Sequence, residues 1–425
     1  MDDDNNNDND NGAAAAAPVE PPLPASLLLD REIARREGLA ARGNLATGCR
    51  ELDEYVLLGG LERGSVVGVS AEDDGGGGIG LLIGLQTVAH LLASEPAARA
   101  MVVTTLPPAA LLPKLRKALV GQLVKVQGAW RGVQAGLRAC LERISISRVF
   151  DIEGLWEVLG ELEAAVPVSD GEPSRAAQTG KGTEMLNSGD EGGRSSPGSP
   201  SPTPPDIVLV THTSALLNAL FTGRDKDAAH NTTLLLASRL RALARSPAHA
   251  APLFMLLNST TSPAALPPQP PAADDAPPAA ASGDTPGPPS RHVDSTLRSI
   301  FGPAPPAAQH DAGASAAAAS SARRNKPSFG PVFAQMLDLH LLCTRVPRTR
   351  ADGAALAAHP GTSVADVSHV WVVEVLLDEL GVYERRQGDG GGERFEWGER
   401  RSREQRWAVV DVVDEDGAVV DATVP

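Results

Sequence analysis

Residues 66–94 place the tightest limit on what this chain can fold into. An apolar run (Val66, Val67, Val69) passes into a glycine-rich turn, and an amphipathic helix starts immediately after it. A strand that hands over to a helix through glycines is the layout that cradles phosphate, using backbone N–H groups and a helix N-terminus. The working motif carries Lys and Ser/Thr after its last glycine, for phosphate charge and Mg²⁺. Here Ile79, Gly80 and Leu81 stand at that corner, with Glu72, Asp73 and Asp74 adding negative charge beside it. The candidate cofactor-binding set is therefore Gly75, Gly76, Gly77, Gly78 and Gly80, a degenerate phosphate loop. The competing reading is a permissive loop in a sequence biased towards Gly, Ala and Pro.

Composition narrows the function classes. The chain has 425 residues, 42% of them hydrophobic, which is enough for a substantial core. Its 42 Gly and 35 Pro cluster with Ala and Ser in stretches that cannot bury enough apolar surface to offset chain entropy. The expectation is one domain of roughly 270 ordered residues carrying long insertions. Formal charge is −15, and Asp2, Asp3, Asp4, Asp8 and Asp10 supply part of it. That balance disfavours broad attraction to nucleic acid while leaving room for a local basic face. Cys49, Cys140 and Cys343 are widely spaced, which excludes a disulfide framework or a cysteine-based zinc motif. No apolar run reaches membrane-spanning length, so a soluble, intracellular chain is expected, with no membrane partner.

Along the chain, residues 1–25 form an Asp/Asn, Ala and Pro tail expected to be disordered, and 26–425 the core domain. A short helix is expected near 27–41. Strands are predicted at 66–70, 100–105 and 144–148, with helices at 80–94, 109–127 and 152–165. This alternation implies a parallel sheet covered on both faces. Residues 167–204 read as a disordered insertion. The pattern resumes with strand 206–210, helices 213–222 and 231–245, and strand 253–258. Residues 262–326, rich in Pro and Ala, read as a second disordered insertion, ending in Arg323, Arg324 and Lys326. Strand-like runs at 338–345, 369–377, 393–397 and 406–413 suggest an antiparallel, β-rich C-terminal edge.

The segment TGCRELDEYVLLGGLERGSVVGV (47–69) resembles the approach to the phosphate loop in the RecA-like recombinase family, specifically its eukaryotic recombinase paralogues. Thr47, Gly48, Leu52, Asp53, Gly59, Gly60, Leu61 and Gly64 match that pattern in order. DIVLVTHTSALLNAL (206–220) is similar to the family's metal-binding strand and following helix, PLFMLLNST (252–260) to its sensor strand, and PSFGPVFAQMLDLHLLCTR (327–345) to its turn into later strands. The resemblance implies a RecA-like P-loop NTPase core.

Every nucleotide-handling position departs from the family pattern. The loop lysine and hydroxyl map onto Gly80 and Leu81. The catalytic glutamate maps near Leu106, the Mg²⁺-linked aspartate onto Thr211 and the sensor glutamine onto Ser259. These groups act together in phosphoryl transfer, so loss at four separate places implies no catalytic residues and no metal site. No cofactor is expected, and residual ATP binding through glycine N–H groups is disfavoured by the neighbouring acids. The resemblance then implies a non-catalytic nuclear protein of homologous-recombination DNA repair. Its partners would be recombinase paralogue subunits and single-stranded DNA. The alternative is a divergent, DNA-dependent ATPase whose lysine comes from elsewhere, such as Lys114 or Lys117. A third reading is a regulatory scaffold using the Ser-Pro pairs at Ser196, Ser199 and Ser201.

Blander readings cover the remaining candidates. Lys114, Arg116 and Lys117 share one predicted helix and read as a solvated face. The run Glu399–Arg406 reads as a surface hairpin turn. His212 reads as a structural histidine and Trp156 as a helix-packing residue. The nine histidines show no metal-ligand spacing.

Overall fold

A computed structural model describes residues 23–72, 78–127, 132–164, 203–246, 249–261, 299–301, 325–358, 368–380, 383–386, 395–398, 402–413 and 417–422. The Ser-Pro pairs, Arg323 and Arg324 lie outside these residues. The chain divides into two compact units, Met1–Arg42 and Gly43–Pro425. In the first, helix α1 (Ala25–Arg42) forms where a short helix was expected. Glu32 pairs with Arg35 and Arg36 one turn on, which supports an exposed helix by a few tenths of a kcal/mol, about 0.2–0.5 per pair.

The second unit opens with the glycine-marked approach segment. Leu45 and Leu61 bridge antiparallel, and the Thr47 N–H donates to Asp53 Oδ1 at 2.8 Å. Gly60 sits at φ +107°, where a Cβ would lie 2.8 Å from the Leu45 carbonyl oxygen, so glycine is required there. Next come β1 (Val66–Ala71), α2 (Ile79–Ser94), β2 (Ala100–Thr104), α3 (Pro108–Gln127), α4 (Val133–Leu141) and β3 (Ile144–Arg148). They are followed by α5 (Ile152–Ala164), β4 (Ile207–Val210), α6 (Thr213–Gly223), α7 (Lys226–Arg245) and β5 (Leu253–Thr261). The last part holds β6 (Lys326–Pro327), α8 (Gly330–Ala334), β7 (Leu339–Pro347), α9 (Arg350–Ala358) and β8 (His369–Asp378). The hairpin strands β9 (Tyr383–Arg386) and β10 (Phe395–Gly398) pair only with each other, and β11 (Trp407–Val413) and β12 (Ala418–Asp421) complete the chain.

The main sheet runs β12-β11-β8-β7-β1-β5-β4-β2-β3. Pairings from β7 through to β3 are parallel, and those joining β7, β8, β11 and β12 are antiparallel. The expected α/β class, mostly parallel sheet and antiparallel C-terminal edge are therefore present. Central strands alternate their apolar side chains between two layers. Val67, Val69, Leu209 and Met255 face α2, α3 and α4, while Val66, Val208, Val210 and Phe254 face α5, α6, α7 and α8. A sheet buried on both faces reads as continuous apolar runs, which is why β1 and β4 contain so little polarity.

Helix α2 is buried on nearly every side, because it lies between the sheet and α3 and α4. A Cβ on Gly84 would come 2.8 Å from Leu209 Cδ1, so the missing side chain lets α2 lie close on β4. Gln86 then serves the sheet's far end: its Nε2 donates to the Val419 carbonyl at 2.9 Å and its Oε1 accepts from the Val419 N–H at 2.8 Å. One buried amide thus supplies the hydrogen bonds that a further strand would have given β12.

Two expectations need correction. Residues 299–301 and 325–326, placed in the second disordered insertion, hold defined positions: Ser299 is fully buried, and β6 pairs with β5. Arg406, placed in a surface turn, is only 1% exposed; it donates to the Val56 carbonyl and pairs with Asp378. The ion pair and the carbonyl bond offset much of the cost of burying this guanidinium, although its Nη2 is buried without a hydrogen-bond partner. Trp156 packs as expected, with Arg239 stacked 4.6 Å from its ring centre.

Candidate functional site

The carboxyl ends of β1, β5 and β4 lie side by side in the sheet, and the segments leaving them go to opposite layers. From β1 the chain passes to α2 on one face; from β4 it passes to α6 on the other. Such a divergence opens a crevice beyond the strand ends, where open α/β sheets bind their ligands. The crevice holds about 40 Å³ of free space. It is lined by Ala71 and Glu72 after β1, Gly78, Gly80 and Leu81 at the start of α2, and Thr211, His212 and Ser214 at the start of α6. Leu257, Asn258 and Ser259 of β5 form the rest.

Of the candidate phosphate-loop residues, Gly78 and Gly80 line this crevice, and Gly75, Gly76 and Gly77 lie outside the described residues. Gly78 is the N-cap of α2, and His212, in the left-handed conformation at φ 55°, is the N-cap of α6. Neither helix start receives a side-chain cap, so both present backbone N–H groups and the positive end of a helix dipole. Gly80 packs on β1, where a Cβ would lie 3.3 Å from that of Ala71.

Thr211, and the N–H of Leu106, belong to a hydrogen-bonded chain of hydroxyls at the ends of β2 and β4. Thr211 Oγ1 donates to Thr104 Oγ1 at 2.7 Å, and Thr104 Oγ1 accepts the Leu106 N–H at 3.1 Å. His212 Nδ1 stands 3.0 Å from Thr211 Oγ1. Both threonines are buried, so their hydroxyl pair ties the ends of β2 and β4 together. Among the described residues lining the crevice none is Lys or Arg, and Glu72 is the one carboxylate. Lys114 and Lys117 lie on α3 and do not line it; a Cβ on Gly417, in the turn before β12, would sit 3.8 Å from Lys117 Nζ.

Below the crevice runs a polar row that the sequence reading missed. His340 Nε2 of β7 is 2.8 Å from Ser70 Oγ of β1, which accepts from Asn258 Nδ2 of β5 at 3.2 Å. Asn258 Nδ2 also donates to the Ser328 carbonyl at 2.9 Å, and the Ser259 and Ser328 hydroxyls are 3.0 Å apart. His340 and Ser70 are fully buried, and burial holds the His340 imidazole down at about 3. Their signal in the sequence is one polar residue inside each of two apolar strands, VVGVSA and LHLLC. Among the described residues, no three His, Cys, Asp or Glu gather closely enough to hold a metal ion. No described helix is long and apolar enough to cross a membrane. No protein-family model matches this chain, and no curated protein matches it either.

Proposed function

We propose that this chain is a non-catalytic relative of the RecA-like recombinases, acting in homologous-recombination repair in the nucleus by joining paralogue subunits and supporting recombinase on single-stranded DNA. What carries the reading is the hydroxyl of Thr211, bonded to that of Thr104, at the strand end where the resemblance calls for the metal-linked aspartate. Phosphoryl transfer depends on cations and a metal-holding carboxylate placed around the transferred group. Hydroxyls bonded to one another offer neither. The sheet order supports the same reading. It brings the segments resembling the phosphate-loop strand, the sensor strand and the metal strand to adjacent places as β1, β5 and β4.

The test is phosphate release from Mg²⁺-ATP by the purified full chain, with and without single-stranded DNA, beside co-purification with RecA-like paralogues. Release at the protein-free rate together with capture of a paralogue is the expected result. Turnover that vanishes in Lys114→Ala or Lys117→Ala would establish the divergent ATPase instead. A chain that captures no paralogue would overturn the assembly role.

A further inference from the structure

Thr344 of β7, Glu374 of β8 and Trp407 of β11 share the face of the sheet turned away from α2. Val373 and Val375 of β8 point into the α2 layer, so Glu374 between them points the other way. Trp407 of β11 is directly opposite Glu374 in the ladder, and Thr344 of β7 lies one pleat further along the same face. Glu374 is 1% exposed. Both of its oxygens accept hydrogen bonds from a short segment far away in sequence. The Ser299 hydroxyl donates to Oε1 and the Ile300 N–H donates to Oε2 at 3.0 Å. Two residues after Ser299, the Phe301 ring meets Trp407 edge-on, with centroids 5.0 Å apart. The Ser299 N–H donates to the Asn325 carbonyl at 3.2 Å, and Asn325 Nδ2 reaches the Cys343 carbonyl and Thr344 Oγ1.

A buried carboxylate without donors is strongly unfavourable, and the sheet leaves both oxygens of this one to the segment 299–301. The three features read are a hydroxyl, a backbone N–H that excludes proline, and an aromatic ring. All three come from consecutive residues, while the receiving groups sit on a rigid sheet. We propose that the Glu374–Trp407 face is a peptide-binding site for a Ser/Thr–X–aromatic segment, filled in this chain by its own Ser299–Ile300–Phe301. Residues 262–298 and 302–324 tether that segment on either side. A ligand joined to its site by the same chain competes as an intramolecular one, which a peptide in solution must displace. The same peptide offered in trans binds once the internal copy is disabled.

The test uses the full chain carrying Ser299→Ala and Phe301→Ala, and a fluorescent peptide spanning residues 295–304, followed by anisotropy. The variant binds the peptide at least tenfold more tightly than the unaltered chain does. Adding Glu374→Gln or Trp407→Ala to it, or replacing the peptide's own Ser or Phe by Ala, removes at least tenfold of that affinity. A folded variant that binds the peptide no better than a scrambled one overturns the proposal. Should the variant fail to fold, amide exchange at Ile300 in the unaltered chain decides. Excess peptide must accelerate it more than the scrambled peptide does, and equal exchange in the two overturns the proposal.

Discussion

Protonation of His340 makes the stability of this fold depend on pH well above the carboxylate range. The imidazole is fully buried between β1 and α8: Nε2 meets the Ser70 hydroxyl, the Phe333 ring lies edge-on at 5.2 Å, and Nδ1 is buried without a hydrogen-bond partner. A second ring proton would bring a charge into this pocket, with no partner at Nδ1 to receive it. Burial therefore depresses the group to about 3, against 6.5 for a free histidine. A base depressed in the folded state is protonated first in the unfolded chain, so acid favours unfolding. The stabilising contribution is full above pH 6.5 and falls as pH drops towards 3. Between pH 7 and pH 5 the unfolded chain takes up nearly one proton that the folded chain refuses. At about 1.4 kcal/mol per pH unit below the unfolded pKa, the loss is about 2 kcal/mol. Urea unfolding at pH 7, 6 and 5 measures it, with His340→Gln as the comparison because its amide reaches Ser70 but does not titrate. The variant is less stable at pH 7, and the gap narrows by about 2 kcal/mol at pH 5. Two stability curves that stay parallel over this range would refute the reasoning.

Two further outcomes follow from packing. Gln86→Leu keeps side-chain size but leaves the Val419 N–H and carbonyl buried and unpaired, a loss of about 2–4 kcal/mol. Urea unfolding reads the loss, and faster exchange of the Val419 amide locates it at the sheet edge. Gly68→Ala places a Cβ 2.3 Å from Leu337 Cδ1 and 2.8 Å from Phe333 Cε1, which forces α8 away from β1. The expected penalty is about 1–3 kcal/mol, and a melting temperature equal to that of the unaltered chain would show that α8 moves without strain.

Much of the first half was legible because its central strands are buried on both faces and several of its helices carry one apolar stripe; α2, expected to be amphipathic, is instead buried on nearly every side. β3 spans residues 144–148 as expected, and β1, β2, β4 and β5 fall within a few residues of expectation. Helix α4 was missed because glycines at 128, 132 and 136 broke up the pattern, although Val133, Leu137 and Cys140 share one buried face. Helix α9 escaped inside an Ala-rich run, yet Thr349 and Asp352 cap its start reciprocally. Strands β9 and β12 are too short for a two-residue period to show. Arg406 was misread because a run of charges masks a single guanidinium held inside. The sheet order is beyond any local signal: β5 separates β1 from β4, a neighbour relation that only long-range packing decides.

The crevice was only half legible. Glycines marked the strand-to-helix turn of which Gly78 and Gly80 line it, while Gly75, Gly76 and Gly77 lie outside the described residues. What no spacing reveals is how the strand ends beside it are held together. Carboxylates at the ends of β2 and β4 would repel each other unless a metal stood between them, whereas the Thr104–Thr211 bond holds those ends together unaided. The uncapped amino ends of α2 and α6 favour negative charge, and Glu72 lines the same crevice. The chain therefore supplies from within the tie between β2 and β4 and a negative charge beside the two helix starts. On the proposed reading, a nucleotide's phosphates would meet Glu72 there and no lysine, which disfavours their capture.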